Sequence, residues 1–137
     1  PEATAPIAID LSKLENLPRF EKRIIQEMGL TNVKSLARII ELFLENTPLR
    51  VTGLETQLAA TDSLEKWTEI RLLFHSLKGS ARVVGALRFG ELAYAGEMAA
   101  KQHDSALSLS LIPRLHEEFT QLKAEWDAIQ WKNFFGQ

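Results

Sequence analysis

Apolar residues in this chain recur at intervals of three and four through most of its length, and no stretch shows the alternate-residue pattern of a half-buried strand. A chain patterned this way must bury helical stripes against one another, so helix-on-helix packing is the architecture to expect. At 137 residues it has room for one domain with a real core and too few for two ordinary ones. No internal repeat or low-complexity tract interrupts the pattern.

Residues 1–17 read as an N-terminal arm or linker, 18–132 as a helical bundle and 133–137 as a tail. Leu17-Pro18 opens a short helix, with Pro18 in its first turn, Phe20, Ile24 and Ile25 on one face, and Gly29 as the stop. Asn32 is placed to cap a second helix carrying Leu36, Ile39, Ile40, Phe43 and Leu44. Pro48 is expected to kink or break it before the pattern resumes through Leu49, Leu54 and Leu58, despite Gly53. Asp62-Ser63-Leu64-Glu65 has the form of a capping box with Asp in place of Ser or Thr. The helix that follows runs from about Ser63 to Val84 and is ended by Gly85-Ala86; another spans Leu87 to about Lys101, with Leu92, Tyr94, Ala95 and Met98 as packing residues. After a break at Gln102-His103-Asp104, Ile112, Leu115, Phe119, Leu122, Trp126 and Ile129 keep step along a last helix. The expectation is an all-α fold, an antiparallel four-helix bundle with a short extra N-terminal helix covering one end.

Composition narrows the function by exclusion. A net charge of −2 offers no basic face for nucleic acid, and no apolar run approaches the length needed to contact or cross a membrane as a span. The chain has no cysteine, which removes disulfides, thiolate metal sites and thiol nucleophiles together and suits a cytoplasmic location. His75, His103 and His116 lack the spacing of a metal site, and no Gly-rich phosphate loop is present, so neither a metal, a cofactor nor self-phosphorylation from ATP is expected. His103 and His116 read as surface or helix-end residues.

His75 differs from them in its surroundings. Taking it as zero on a helical wheel, Leu73, Val84, Leu77, Ile70, Ala81, Phe74 and Trp67 fall between about 160° and 280°, a continuous apolar arc that must face the other helices. The histidine lies opposite that arc, with Arg71, Arg82, Thr68, Gly79 and Lys78 all within about 60° of it. A lone histidine on an exposed helix face is ordinarily just a surface residue. Lys78, one turn on, can bring its ammonium beside whatever Nε2 carries. Gly79 costs a helix interior about 1 kcal/mol relative to Ala and, beside His75, leaves room for a close approach. Leu72 and Val83 lie next to the histidine outside the core arc and form a modest docking patch.

His75-x-x-Lys78-Gly79-Ser80, with Gly85 six residues past Gly79, resembles the signature of histidine-containing phosphotransfer (HPt) domains. Phe43-Leu44 before Pro48, Asp62 before the motif helix, and Leu92-Ala93 followed by Glu97 agree with it, and the likeness covers about residues 30 to 125. Domains of this family are four-helix modules that take phosphoryl from one receiver-domain aspartate and pass it to another. The resemblance implies that His75 carries the phosphoryl group on Nε2, that Lys78 offsets its charge, that Gly79 gives the receiver access, that Ser80 packs or hydrogen-bonds beneath the ring, and that Gly85 closes the motif helix. Gly90 and Gly96, which weaken the next helix, and the tail from Trp126 to Gln137 have no clear counterpart in the family pattern.

Neutral imidazole is nucleophilic near pH 7, and phosphoryl transfer depends mostly on positioning and charge stabilisation. With one lysine and Arg71 or Arg82 nearby, and no carboxylate cluster for Mg²⁺, the domain is expected to be a carrier without kinase activity, the receiver supplying the metal. Arg71, Leu72, Gly79, Arg82 and Val83 are the expected partner contacts. The alternatives are the phosphoacceptor domain of a chemotaxis-type kinase and a helical adaptor in which the histidine is incidental. Because the chain starts at Pro1 and not Met, it is expected to be processed or, the favoured reading, a piece of a longer protein, the C-terminal module of a hybrid sensor kinase tethered to an inner membrane; the module itself is expected to be monomeric.

Overall fold

The computed structural model describes residues 10–27 and 33–129. A 3₁₀ turn at Leu14–Asn16 precedes five α-helices: α1 (Lys22–Glu27), α2 (Val33–Leu58), α3 (Leu64–Val83), α4 (Leu87–Lys101) and α5 (Ser105–Asp127). α2 packs on α3 and α5, and α4 packs on the same two helices, so the four long elements close a ring around one core. Neighbours run in opposite directions. His75 meets Glu97 while Arg82 meets Glu91 across α3 and α4; Phe43 meets Trp126 while Glu55 meets His116 across α2 and α5. This is the antiparallel bundle that the apolar spacing requires, with the short α1 at its N-terminal side.

The helix ends have identifiable causes. Ser63, in extended conformation, caps α3 by accepting the Lys66 N–H. Asp62, read from the sequence as the cap, instead accepts the Trp67 indole N–H at 2.7 Å. α3 closes in a Schellman motif: the Gly85 N–H donates to Arg82 O and the Ala86 N–H to Ala81 O, with Gly85 at φ +74°. A side chain at Gly85 would also collide with Glu21 O, whose own N–H donates to Gly85 O. The buried Lys66 sends its ammonium to Leu58 O and Ala60 O, satisfying carbonyls left over at the end of α2.

Two sequence expectations change. α2 continues through Pro48 as one helix, because buried Phe43, Thr47, Val51 and Leu54 hold a single apolar face on both sides of the proline. Pro18 does not open a helix; α1 starts at Lys22, and residues 17–21 run along the 85–87 turn with hydrogen bonds to it. Of the N-terminal arm, residues 1–9 lie outside the described residues; farther along it, Leu11 and Leu14 pack against the core, and Arg88 donates to Leu17 O and Glu15 O. The expected stops at Gly29 and Asn32, and the tail over 133–137, lie outside the described residues. Among the described residues no helix is long and apolar enough to cross a membrane.

Gly96 explains how α3 and α4 come together. A Cβ there would lie within 2.1–2.5 Å of the Phe74 ring, so the ring occupies the space that a side chain would have taken. With Gly90, Ala93 and Ala100 also buried on α4, the two helices approach along a strip of small residues. The glycines read as weakening this helix are therefore what lets it pack, and the contact sets the residues beside Phe74 and Gly96, namely His75 and Glu97, face to face.

Candidate functional site

His75 stands midway along α3 with 58% of its side chain exposed, opposite the buried Ile70, Phe74, Leu77 and Ala81. Its Nδ1 lies 2.9 Å from Oε2 of Glu97 on α4, and the other carboxylate oxygen, Oε1, accepts from Lys78 Nζ at 2.5 Å. Glu97 is buried, with 7% of its side chain exposed. Burial works to raise its pKa, but hydrogen bonds from Lys78 and His75 and their charges outweigh it and hold the carboxyl below its ordinary value. An ionised carboxylate can only accept, so the neutral ring carries its proton on Nδ1 and keeps its lone pair on Nε2. Nε2 has no hydrogen-bond partner among the described residues.

Lys78, placed by the spacing one turn on from His75, bonds to Glu97. Its ammonium is spent on Glu97 and sits 5.4 Å from the centre of the Tyr94 ring, leaving the side chain 15% exposed. Lys78 and the imidazole thus share one carboxylate. Arg82 is exposed, reaches toward the same Tyr94 ring and lies 4.0 Å from Glu91. Gly79 is exposed, and a Cβ built on it meets nothing within 4 Å. The domain's own packing therefore gives no reason for a glycine at this position.

Ser80 is not beneath the histidine. Its hydroxyl donates to Leu77 O, and the residue faces α2, where it shares a shallow groove with Leu42, Asn46 and Val83. Leu72 and Val83 are both exposed, at 44% and 45%, with Leu42 a third exposed aliphatic along that side. Arg71 is half-buried and lines a separate cleft toward the start of α3. Gly85 closes the motif helix in the left-handed conformation described above.

Glu97 is the site residue that sequence reasoning left without a role. A signal for it exists: Gly90, Ala93, Glu97 and Ala100 fall on one stripe of α4, and a carboxylate amid buried small residues demands a cationic or hydrogen-bonding partner. His103 is exposed just past the end of α4, as expected, and its ring stacks on Trp67. His116 is exposed, 3.5 Å from Glu55. Among the described residues no group of three or more His, Asp or Glu side chains is arranged to hold a metal ion.

Residues 38–125 match the family model of the Hpt domain. Neither the comparison with curated proteins nor the comparison with solved structures gives a match.

Proposed function

Since the chain belongs to the Hpt domain family, whose members carry phosphoryl groups on histidine in phosphorelays with response-regulator receiver domains, we propose that His75 is the carrier and Nε2 the atom that bears the phosphoryl group. The reading rests above all on one observation: a half-exposed imidazole is held at Nδ1 by a buried, ionised Glu97, which leaves the Nε2 lone pair unengaged.

The step is a displacement at phosphorus. The Nε2 lone pair attacks the phosphorus of a receiver's aspartyl phosphate, the N–P bond forms, and the P–O bond to the aspartate breaks to release its carboxylate. The ring becomes an Nδ1-protonated cation, and Glu97 is already placed to stabilise the positive charge at Nδ1. Lys78 holds Glu97 ionised and in line. Transfer onward is the same displacement reversed onto another receiver's aspartate. This chain supplies the nucleophile, its tautomer and one lysine, so the remaining charge stabilisation, including any Mg²⁺, comes from the receiver. Gly79, Leu72, Val83 and Arg82 form the surface over which the receiver approaches, with Gly79 admitting it closest to the ring.

The test is direct. On incubation with an aspartyl-phosphorylated receiver, wild-type protein is expected to gain an acid-labile, base-stable phosphate on residue 75. His75→Gln is expected to fold normally and gain none. Equal labelling of His75→Gln would assign the phosphate elsewhere and end the proposal.

A further inference from the structure

Toward the start of α3, the groove between α3 and α4 opens into a cleft of about 240 Å³ whose walls include Trp67, Arg71, Lys101 and His103 and no acidic residue. Arg71 lies one helical turn before His75, and Lys101 one turn after Glu97, so the cleft continues the line of the phosphorylation site along the same helix pair. Neither Arg71 nor Lys101 forms an ion pair among the described residues, whereas Arg19, Lys78 and Arg82 each face a glutamate. Glu69, two residues before Arg71, is not among the residues that line the cleft, and three other carboxylates close in sequence are committed elsewhere: Asp62 accepts from the Trp67 indole, Glu97 is held by His75 and Lys78, and Asp104 caps α5 by accepting the Leu107 N–H.

His103 adds an independent mark. α4 ends, like α3, in a Schellman motif: the His103 N–H donates to Ala100 O and the Asp104 N–H to Ala99 O. His103 occupies the position that Gly85 fills in the earlier motif, at φ +54°, a left-handed conformation that a side chain disfavours. In place of glycine's ease, the chain has an imidazole lying flat on the Trp67 indole, 5.3 Å between centroids and 7° between planes. Backbone strain retained beside two uncompensated cations points to a use for that ring.

We propose that this cleft is an anion subsite, in which Arg71 and Lys101, walled by the stacked His103, receive an acidic side chain of the docking receiver. The inference rests on the phosphotransfer reading above. A receiver that brings an aspartyl phosphate to Nε2 covers an interface of some 800 Å² on this domain, which reaches a full helical turn beyond His75 and so includes both cations. Pairing there fixes the register in which the partner's aspartate meets the imidazole.

The experiment measures transfer from receiver domains phosphorylated with acetyl phosphate, over a range of receiver concentrations and from low to high NaCl. Arg71→Glu/Lys101→Glu is expected to raise the KM for receiver by about tenfold or more and to flatten its dependence on salt. His103→Gly, which relaxes the backbone, is expected to melt no lower than wild type yet still raise KM. Lys123→Glu on α5 makes the same kind of charge change away from the cleft and is expected to leave KM unchanged. Wild-type KM in the double variant, or an equal rise in Lys123→Glu, overturns the subsite and leaves the phosphotransfer reading intact. Wild-type protein that accepts phosphate from no receiver overturns both.

Discussion

At the scale of single residues, Glu97 and Gly79 do opposite things. Glu97 is a buried charge whose two oxygens are both engaged, so replacing it tests what each bond does. In Glu97→Gln the amide oxygen keeps Lys78 and the amide N–H faces the ring, which turns Nδ1 into an acceptor and moves the proton to Nε2. The ¹⁵N shifts of the imidazole are expected to report that change of tautomer, and transfer is expected to slow by about 10- to 100-fold. Glu97→Ala imposes no tautomer and is expected to transfer faster, per folded molecule, than Glu97→Gln; a merely structural glutamate gives the reverse order. Gly79 has no neighbour that a methyl group would touch. Gly79→Ala is therefore expected to stabilise the helix by about 0.8–1 kcal/mol in denaturant unfolding, while Gly79→Glu folds and blocks the receiver. A gain in stability paired with a loss in transfer separates a glycine kept for a visitor from one kept for packing.

At the scale of elements, Gly96 is the packing glycine. Its missing side chain is replaced by the Phe74 ring, and that contact brings α4 close enough for Glu97 to reach α3. Gly96→Ala gains helix propensity yet is expected to lose about 1–3 kcal/mol of stability overall, because either Phe74 leaves its place or the helices separate. Phe74→Leu in the same chain is expected to recover part of that loss. The contrast with Gly79 shows what was legible in the sequence and what was not. The wheel placed Gly79 on the open face because only the periodicity of its own helix was needed. Gly96 needed the identity of the ring opposite, and Glu97 the partners across the groove, which one helix cannot reveal. The spans of α3 and α4 were legible because capping signals at Asp62-Ser63 and at Gly85 act locally, even though Ser63 and not Asp62 makes the cap. Pro48 does not break the helix, because the local cost of the ring is outweighed by a buried face continuous on both sides of it. The fastening of Leu11 and Leu14 went unseen because two apolar residues make no pattern.

At the scale of the whole molecule, the site network couples chemistry to folding through the proton on Glu97. Its folded pKa lies below the ordinary 4.5, since the bonds from Lys78 and His75 outweigh the opposing effect of burial. Between the folded value and 4.5 the unfolded chain therefore holds a proton that the folded chain does not, and stability rises with pH through that window. The contribution is fully present above the window and is lost as the pH falls through the folded pKa. An acid melt of the wild type alone sums the contributions of the chain's other carboxylates with that of Glu97, so it does not assign the effect. The difference in unfolding free energy between wild type and Glu97→Gln cancels them. That difference is expected to shift against the wild type as the solution is acidified through the window. A difference that stays flat across the acid range would mean that the carboxyl titrates as it does in the unfolded chain. In that case the bonds from Lys78 and His75 would no more than offset burial; only a difference that moved the opposite way, with the carboxyl still protonated near neutral pH, would take away the acceptor that fixes the Nδ1–H tautomer.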